Sequence, residues 1–147
     1  MMAIKRYANI TLVALTIIIC VACGCSKQNT EEKAVRAYYD GFVNKDWNTV
    51  VSQLADDFTF TSPAPDNDHI NIEKFKDECW GTSKFTKSVR FIKVFESGDE
   101  LALQVEITTT DNKLVHNVDI YKFNSAGKIE SVDVFFGPGI DFPGNTK

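Results

Sequence analysis

The chain has 147 residues, 44% of them hydrophobic and 24% charged, which is the length and composition of one globular domain with a core of its own. Its 20 acidic and 16 basic residues give a net charge of −4. The charges are scattered, which argues against a nucleic-acid partner, since binding a phosphate backbone needs clustered Lys and Arg.

Lys5 and Arg6 give a positive start, Ile10 to Ala22 is an apolar run, and small residues crowd around Cys23 and Cys25. The run is shorter than the roughly 20 apolar residues of a membrane-spanning helix, and it has the pattern of an export signal. Small residues lead directly into a cysteine, which resembles the lipobox of bacterial lipoprotein precursors. Cys25, between Gly24 and Ser26, has the Gly-Cys-Ser arrangement common in such proteins. Cys23 competes for the role, with Ala22 and Val21 before it but Cys20 where an aliphatic residue is expected. The resemblance favours lipidation at Cys25. It implies a cell-envelope protein held on a lipid bilayer by an acylated cysteine, in the outer membrane where enteric sorting rules apply.

The expected division is 1–24 as signal peptide, 25–30 as lipidated tether, 31–138 as the domain and 139–147 as a flexible tail. Cleavage before Cys25 leaves 14 basic against 20 acidic residues, a net charge of −6. It also leaves Cys79 as the only free thiol, so no intrachain disulfide forms. Beside Trp80, Cys79 reads as a small buried hydrophobe.

Asn29 with Glu32 three residues on predicts a helix start, and Ala34, Val35, Tyr38, Tyr39, Phe42 and Val43 share one face of a helix to about Asn44. Asp46 caps a second, short helix presenting Trp47, Val50, Val51 and Leu54. Phe58 to Ser62 alternates as a short strand ended by Pro63 and Pro65. A polar turn at Asp66, Asn67 and Asp68 precedes a third helix around Ile72 to Glu78. From Ser88 the period becomes two. Strands are predicted at Val89–Phe95, Leu101–Thr109, Leu114–Phe123 and Lys128–Phe136, with turn clusters between them. Short sequential connections favour an antiparallel meander, and helices followed by strands give an α+β domain.

Three stretches resemble the nuclear transport factor 2-like superfamily, which includes SnoaL-like proteins and ketosteroid isomerases: Ala37 to Trp47, Leu54 to Pro63, and Val118 to Ile129 followed by Phe135-Phe-Gly137. The resemblance covers roughly Glu31 to Gly137. It implies a cone-shaped, cystatin-like fold of N-terminal helices on a curved, mainly antiparallel sheet, whose interior is a pocket. Phe60, Trp80, Val105, Tyr121 and Phe136 are then candidate pocket residues, and core packing accounts for each equally well. Homodimerisation through the exposed sheet face, frequent in the superfamily, is also implied.

In the isomerases, a carboxylate base works against an oxyanion site made of a tyrosine and a protonated acid. The resemblance places Tyr38 on the tyrosine and Asp119 on the acid. The base position falls on Ser62, whose neutral hydroxyl cannot take a proton from carbon unaided. Asp66, from the following loop, is the carboxylate that would have to replace it. Backbone groups or Lys128 across the hairpin offer Asp119 a purely structural role. His69 and His116 have no metal-ligand spacing, and a Ser62, His116 and Asp119 combination is no more than chance composition. The expectation is therefore a membrane-anchored, non-catalytic domain without metal or cofactor. It binds a small apolar molecule or a protein partner through Tyr38, Phe60, Ser62, Asp119 and their neighbours. The alternative is an isomerase, hydratase or cyclase using Tyr38 and Asp119.

Overall fold

The computed structural model describes residues 30–137. The export signal, Cys23, Cys25, the Asn29 cap and the tail 139–147 lie outside the described residues.

Helix α1 covers 30–44 and buries Ala34, Val35, Tyr38 and Tyr39, the stripe expected from their spacing. It ends where Lys45 turns left-handed (φ 62°) and the Asp46 N–H reaches back 2.9 Å to the Gly41 carbonyl, the hydrogen bond of a Schellman cap. Asp46 also starts α2 (Trp47–Val51), accepting the Asn48 and Thr49 N–H groups at 3.0 and 3.2 Å. One residue thus closes the first helix and opens the second. The corner is tight: a methyl on Gly41 would stand 2.5 Å from Val50 Cγ2 and 3.0 Å from the Asp46 carbonyl oxygen.

Strand β1 (Leu54–Thr61) starts four residues earlier than the alternation at Phe58 suggests. Asp56 and Asp57 interrupt the period in the sequence, and the register with β5 is correspondingly irregular between Leu54 and Thr59. The strand gains its first residues because Leu54 pairs with Ile129.

The third helix departs furthest from expectation. Asn71 caps a single turn, α3 (Ile72–Lys74), after which the chain widens into a π-helical turn at Phe75–Cys79 and tightens into 3₁₀ turns at Trp80–Phe85. Such changes of pitch re-aim side chains, and π turns are frequent at functional sites.

Four strands follow, β2 (Thr86–Ser97), β3 (Glu100–Thr109), β4 (Leu114–Phe123) and β5 (Ile129–Phe136). They form the expected meander. Gly98 and Gly127 turn two of its hairpins at positive φ, which a Cβ would strain. β1 adds in parallel to β5, giving one open five-stranded sheet in the order β1-β5-β4-β3-β2. A bulge in β2 between Phe91 and Lys93 bends the edge.

The cross-strand register decides where the domain is solid. Leu101, Tyr121 and Val132 form one row facing the helices; with Phe123 and Ile129, they are buried together at the closed end. The next rows, Leu103–Asp119–Val134 and Val105–Asn117–Phe136, lead toward Ile107 and Val115, where the helix layer stands off the sheet. Among the described residues nothing packs on the opposite face of the sheet, which carries the exposed Phe95, Val118 and Phe135.

Candidate functional site

The space between helices and sheet at the wide end is a cavity of about 310 Å³, within the size range of small-molecule sites. The α1 side supplies Tyr38, Tyr39 and Phe42, and the first strand and its loop supply Phe60, Ser62 and Asn67. The π and 3₁₀ turns bring Phe75, Glu78, Cys79, Thr82 and Phe85. Ile107, Thr109, Val115, Asn117, Asp119, Val134 and Phe136 come from the sheet.

Five of the residues singled out in the sequence are therefore brought together: Tyr38, Phe60, Ser62, Asp119 and Phe136. Three are not. Val105 and Tyr121 are fully buried in the solid part of the core, Tyr121 in the row that closes the cavity's narrow end. Trp80 stays on the helix layer, edge-on to Phe42 and Trp47 with ring centroids 5.0 and 5.3 Å away. Asp66 is exposed and does not line the cavity; besides Asp119, the acidic residue there is Glu78. His116 points to the other face of the sheet, where it meets Glu106 at 3.0 Å, so Ser62, His116 and Asp119 form no triad. Lys128 bonds the Ser52 carbonyl instead of reaching Asp119. Among the described residues, no cluster of His, Cys, Asp or Glu suits a metal ion.

Asp119 is the chemical centre of the cavity. It is 2% exposed, and its Oδ2 accepts hydrogen bonds from the Tyr39 hydroxyl and, at 3.5 Å, from Tyr121. Tyr38, one residue before Tyr39 on α1, lines the cavity without bonding the carboxyl; it packs edge-on to Tyr39 and against Phe42. The tyrosine that holds the acid is thus Tyr39. Asp119 Oδ1 and Asn117 Oδ1 are both buried with no hydrogen-bond partner.

Burial pushes the Asp119 carboxyl up to about 7, against the opposing pull of Tyr39, Tyr121 and Asn117. Burial, reinforced by the neighbouring Asp119 charge and, for Tyr121, by Tyr39, also raises the pKa of Tyr38, Tyr39 and Tyr121 well above that of a free phenol. The Cys79 thiol is pushed up to about 11, chiefly by burial. It therefore stays protonated and unreactive near neutrality. Ser62 Oγ accepts from Asn67 Nδ2 at 3.2 Å, and that same amide reaches Cys79 Sγ at 3.5 Å, tying the loop to the π turn at the cavity mouth.

A family model of the SnoaL-like domain matches residues 35–132, which include most of α1, its corner with α2 and nearly the whole sheet. The chain belongs to the SnoaL-like family. No curated protein matches it. Among solved structures, this SnoaL-like domain is similar to a nuclear transport factor 2-like protein from Cytophaga hutchinsonii (21% identity, 74% of this chain and 90% of that one, TM-score 0.59). It is also similar to a cystatin-like fold from Methylobium petroleophilum (18%, 76% and 81%, TM-score 0.63). A third is a Kribbella flavida protein provisionally named a ketosteroid isomerase (18%, 78% and 83%, TM-score 0.59). At these identities the likeness establishes the shared fold.

The shifted carboxyl has a thermodynamic consequence. The folded SnoaL-like domain keeps the Asp119 proton up to about pH 7, whereas an ordinary aspartate releases it near 3.8. Between those values the folded state binds more protons, so stability falls as pH rises, by up to about 4 kcal/mol across the window. The acids Asp46, Glu106 and Asp111 are shifted downward and act with the opposite sign at the acid end. Urea unfolding from pH 4 to 8 should therefore show a downward slope that Asp119→Asn removes, with the variant more stable than the parent at pH 8. An unchanged slope would place the titration elsewhere.

Proposed function

We propose that this chain is a lipid-anchored, non-catalytic binding domain of the bacterial cell envelope whose cavity holds a small, largely apolar molecule. The observation that carries the reading is the cavity itself: largely aromatic walls around three buried polar side chains, Asp119, Asn117 and Thr109. A concave site of this kind suits a small molecule better than a protein partner, which docks on broad and flatter surfaces. The neutral compound 2-phenylethanol should bind the full chain with a dissociation constant of about 1 mM or lower, seen as shifts of cavity methyl signals by NMR. Val115→Phe, which fills the space, should weaken binding at least tenfold while the unfolding midpoint shows the fold intact. No binding by the parent would sink the proposal.

A second reading is favoured by Glu78, which brings an acidic side chain to the same cavity as Asp119. With the Kribbella neighbour in mind, it is an isomerase in which Glu78 moves the proton that Ser62 cannot. Conversion of a β,γ-unsaturated ketone to its conjugated isomer, lost in Glu78→Gln, would replace the binding reading with this one.

The anchor rests on the Gly24-Cys25-Ser26 pattern. In cells fed radiolabelled palmitate, Cys25→Ser should abolish labelling of the chain; loss of label in Cys23→Ser alone would move the site to Cys23. The association proposed for the free sheet face is a two-fold homodimer. Phe95, Val118 and Phe135 lie exposed there beside Arg90 and Glu106, an apolar patch with both charge signs that can complement a second copy of itself. Phe135→Asp should shift sedimentation from dimer to monomer, and a parent that sediments only as monomer would remove the proposal.

A further inference from the structure

Ligands in apolar cavities are chosen by the few polar groups left unsatisfied there, because an unmade buried hydrogen bond is costly and a ligand that makes it recovers that cost. Both unsatisfied groups here are acceptors. Asp119 Oδ1 and Asn117 Oδ1 come from alternate residues of β4, on the same face, and neither has a donor.

The charge of the lining points the same way. Asp119 is its buried acidic residue, Glu78 is an exposed one paired with Lys74 at 3.8 Å, and among the described residues no Lys, Arg or His lines the cavity. Aromatic rings from α1, β1 and the π turn, Tyr38, Phe42, Phe60 and Phe75, line much of the rest of the cavity, and aromatic faces attract cations.

We propose that the cavity selects a ligand with an apolar body and an amine cation, the ammonium hydrogens donated to Asp119 Oδ1 and Asn117 Oδ1. The inference rests on the small-molecule reading above and names the chemical class that the site prefers. It assigns Asp119 the role of acceptor and counter-charge, the reverse of the donor role that a protonated acid plays toward a carbonyl. Tyr39 and Tyr121 take up the other carboxylate oxygen and hold the acid in place. The titratable groups around Asp119 are Tyr38 and Tyr39 from α1, Tyr121 from its own strand, and Glu78 and Cys79 from the π turn. Its cross-strand neighbours, Leu103 and Val134, carry no charge. The phenols and the thiol are shifted upward, away from neutrality, so Asp119 is the group among these whose shifted titration falls near pH 7.

The test is calorimetric titration of the full chain with three probes of one shape: 2-phenylethylamine, 2-phenylethanol and phenylacetate. At pH 8 the amine should bind at least about tenfold more tightly than the alcohol, and phenylacetate more weakly than both. Lowering the pH to 5 should reduce the amine's advantage about tenfold, since a protonated Asp119 offers no counter-charge. Asp119→Asn should abolish the preference for the amine over the alcohol. Asn117→Ala, which removes the other acceptor, should reduce it several-fold and serves as a second variant should the first fold poorly. Alcohol binding equal to amine binding, or an amine preference that survives Asp119→Asn, would overturn the inference while leaving the cavity reading in place. Failure of all three probes to bind would overturn both.

Discussion

The wide end of this domain is organised around one carboxyl group that the fold buries and only half satisfies. Asp119 sits on the inward face of β4, in a row with Leu103 and Val134, where a hydrophobic side chain would close the core. Its position is fixed from two directions: β4 sets the height at which it points inward, and α1 presents Tyr39 above it. Leaving Oδ1 without a donor costs about 1–3 kcal/mol, and a well-packed apolar residue there would be the more stable choice. The cost is offset at the closed end, where Leu101, Tyr121, Phe123 and Ile129 are buried together. The solid end supplies the stability that the hollow end gives up.

The parts of the fold legible in the sequence are those with a local signal. The α1 stripe reads directly from the spacing of Ala34, Val35, Tyr38 and Tyr39, the Asp46 cap from its residue type, and the meander from a period of two with Gly98 and Gly127 at the turns. What escaped depends on partners distant in the chain. The start of β1 carries Asp56 and Asp57, so its strand character comes from pairing with β5, some 70 residues away. The segment from Phe75 to Phe85 has no single period because it changes from π to 3₁₀ pitch, and no pattern argument built on one helical repeat can describe it.

The site was legible to a similar degree. Asp119 interrupts the alternation of Val115, Asn117, Asp119, Tyr121 and Phe123, and the buried polar pair was visible there as two polar residues on an otherwise apolar face. Asn117 was missed although it carries that same signal. Tyr38 and Tyr39 both fall within the broad buried face of α1, and 100° of rotation along the helix decides which hydroxyl meets the acid; sequence spacing does not resolve that angle. Trp80, Val105 and Tyr121 are as apolar as the residues that line the cavity. What separates them is whether a second layer lies against them, a property of register and helix placement rather than of residue type.

The chemical character of the cavity follows from the same asymmetry. Tyr39 and Tyr121 stabilise the carboxylate through Oδ2, while burial opposes it more strongly, so the two influences leave the proton poised near neutrality. Had the hydroxyls been absent, desolvation alone would have held the acid fully protonated and made it a donor. Had a basic residue stood nearby, it would have held the acid ionised and occupied Oδ1. The observed arrangement does neither, so whichever molecule enters the cavity determines the charge of Asp119. A ligand that brings a cation stabilises the ionised form and is bound the more tightly for it, and a neutral acceptor must first wait for the proton. The preference of the site is thus set by the oxygen that the protein left unbonded.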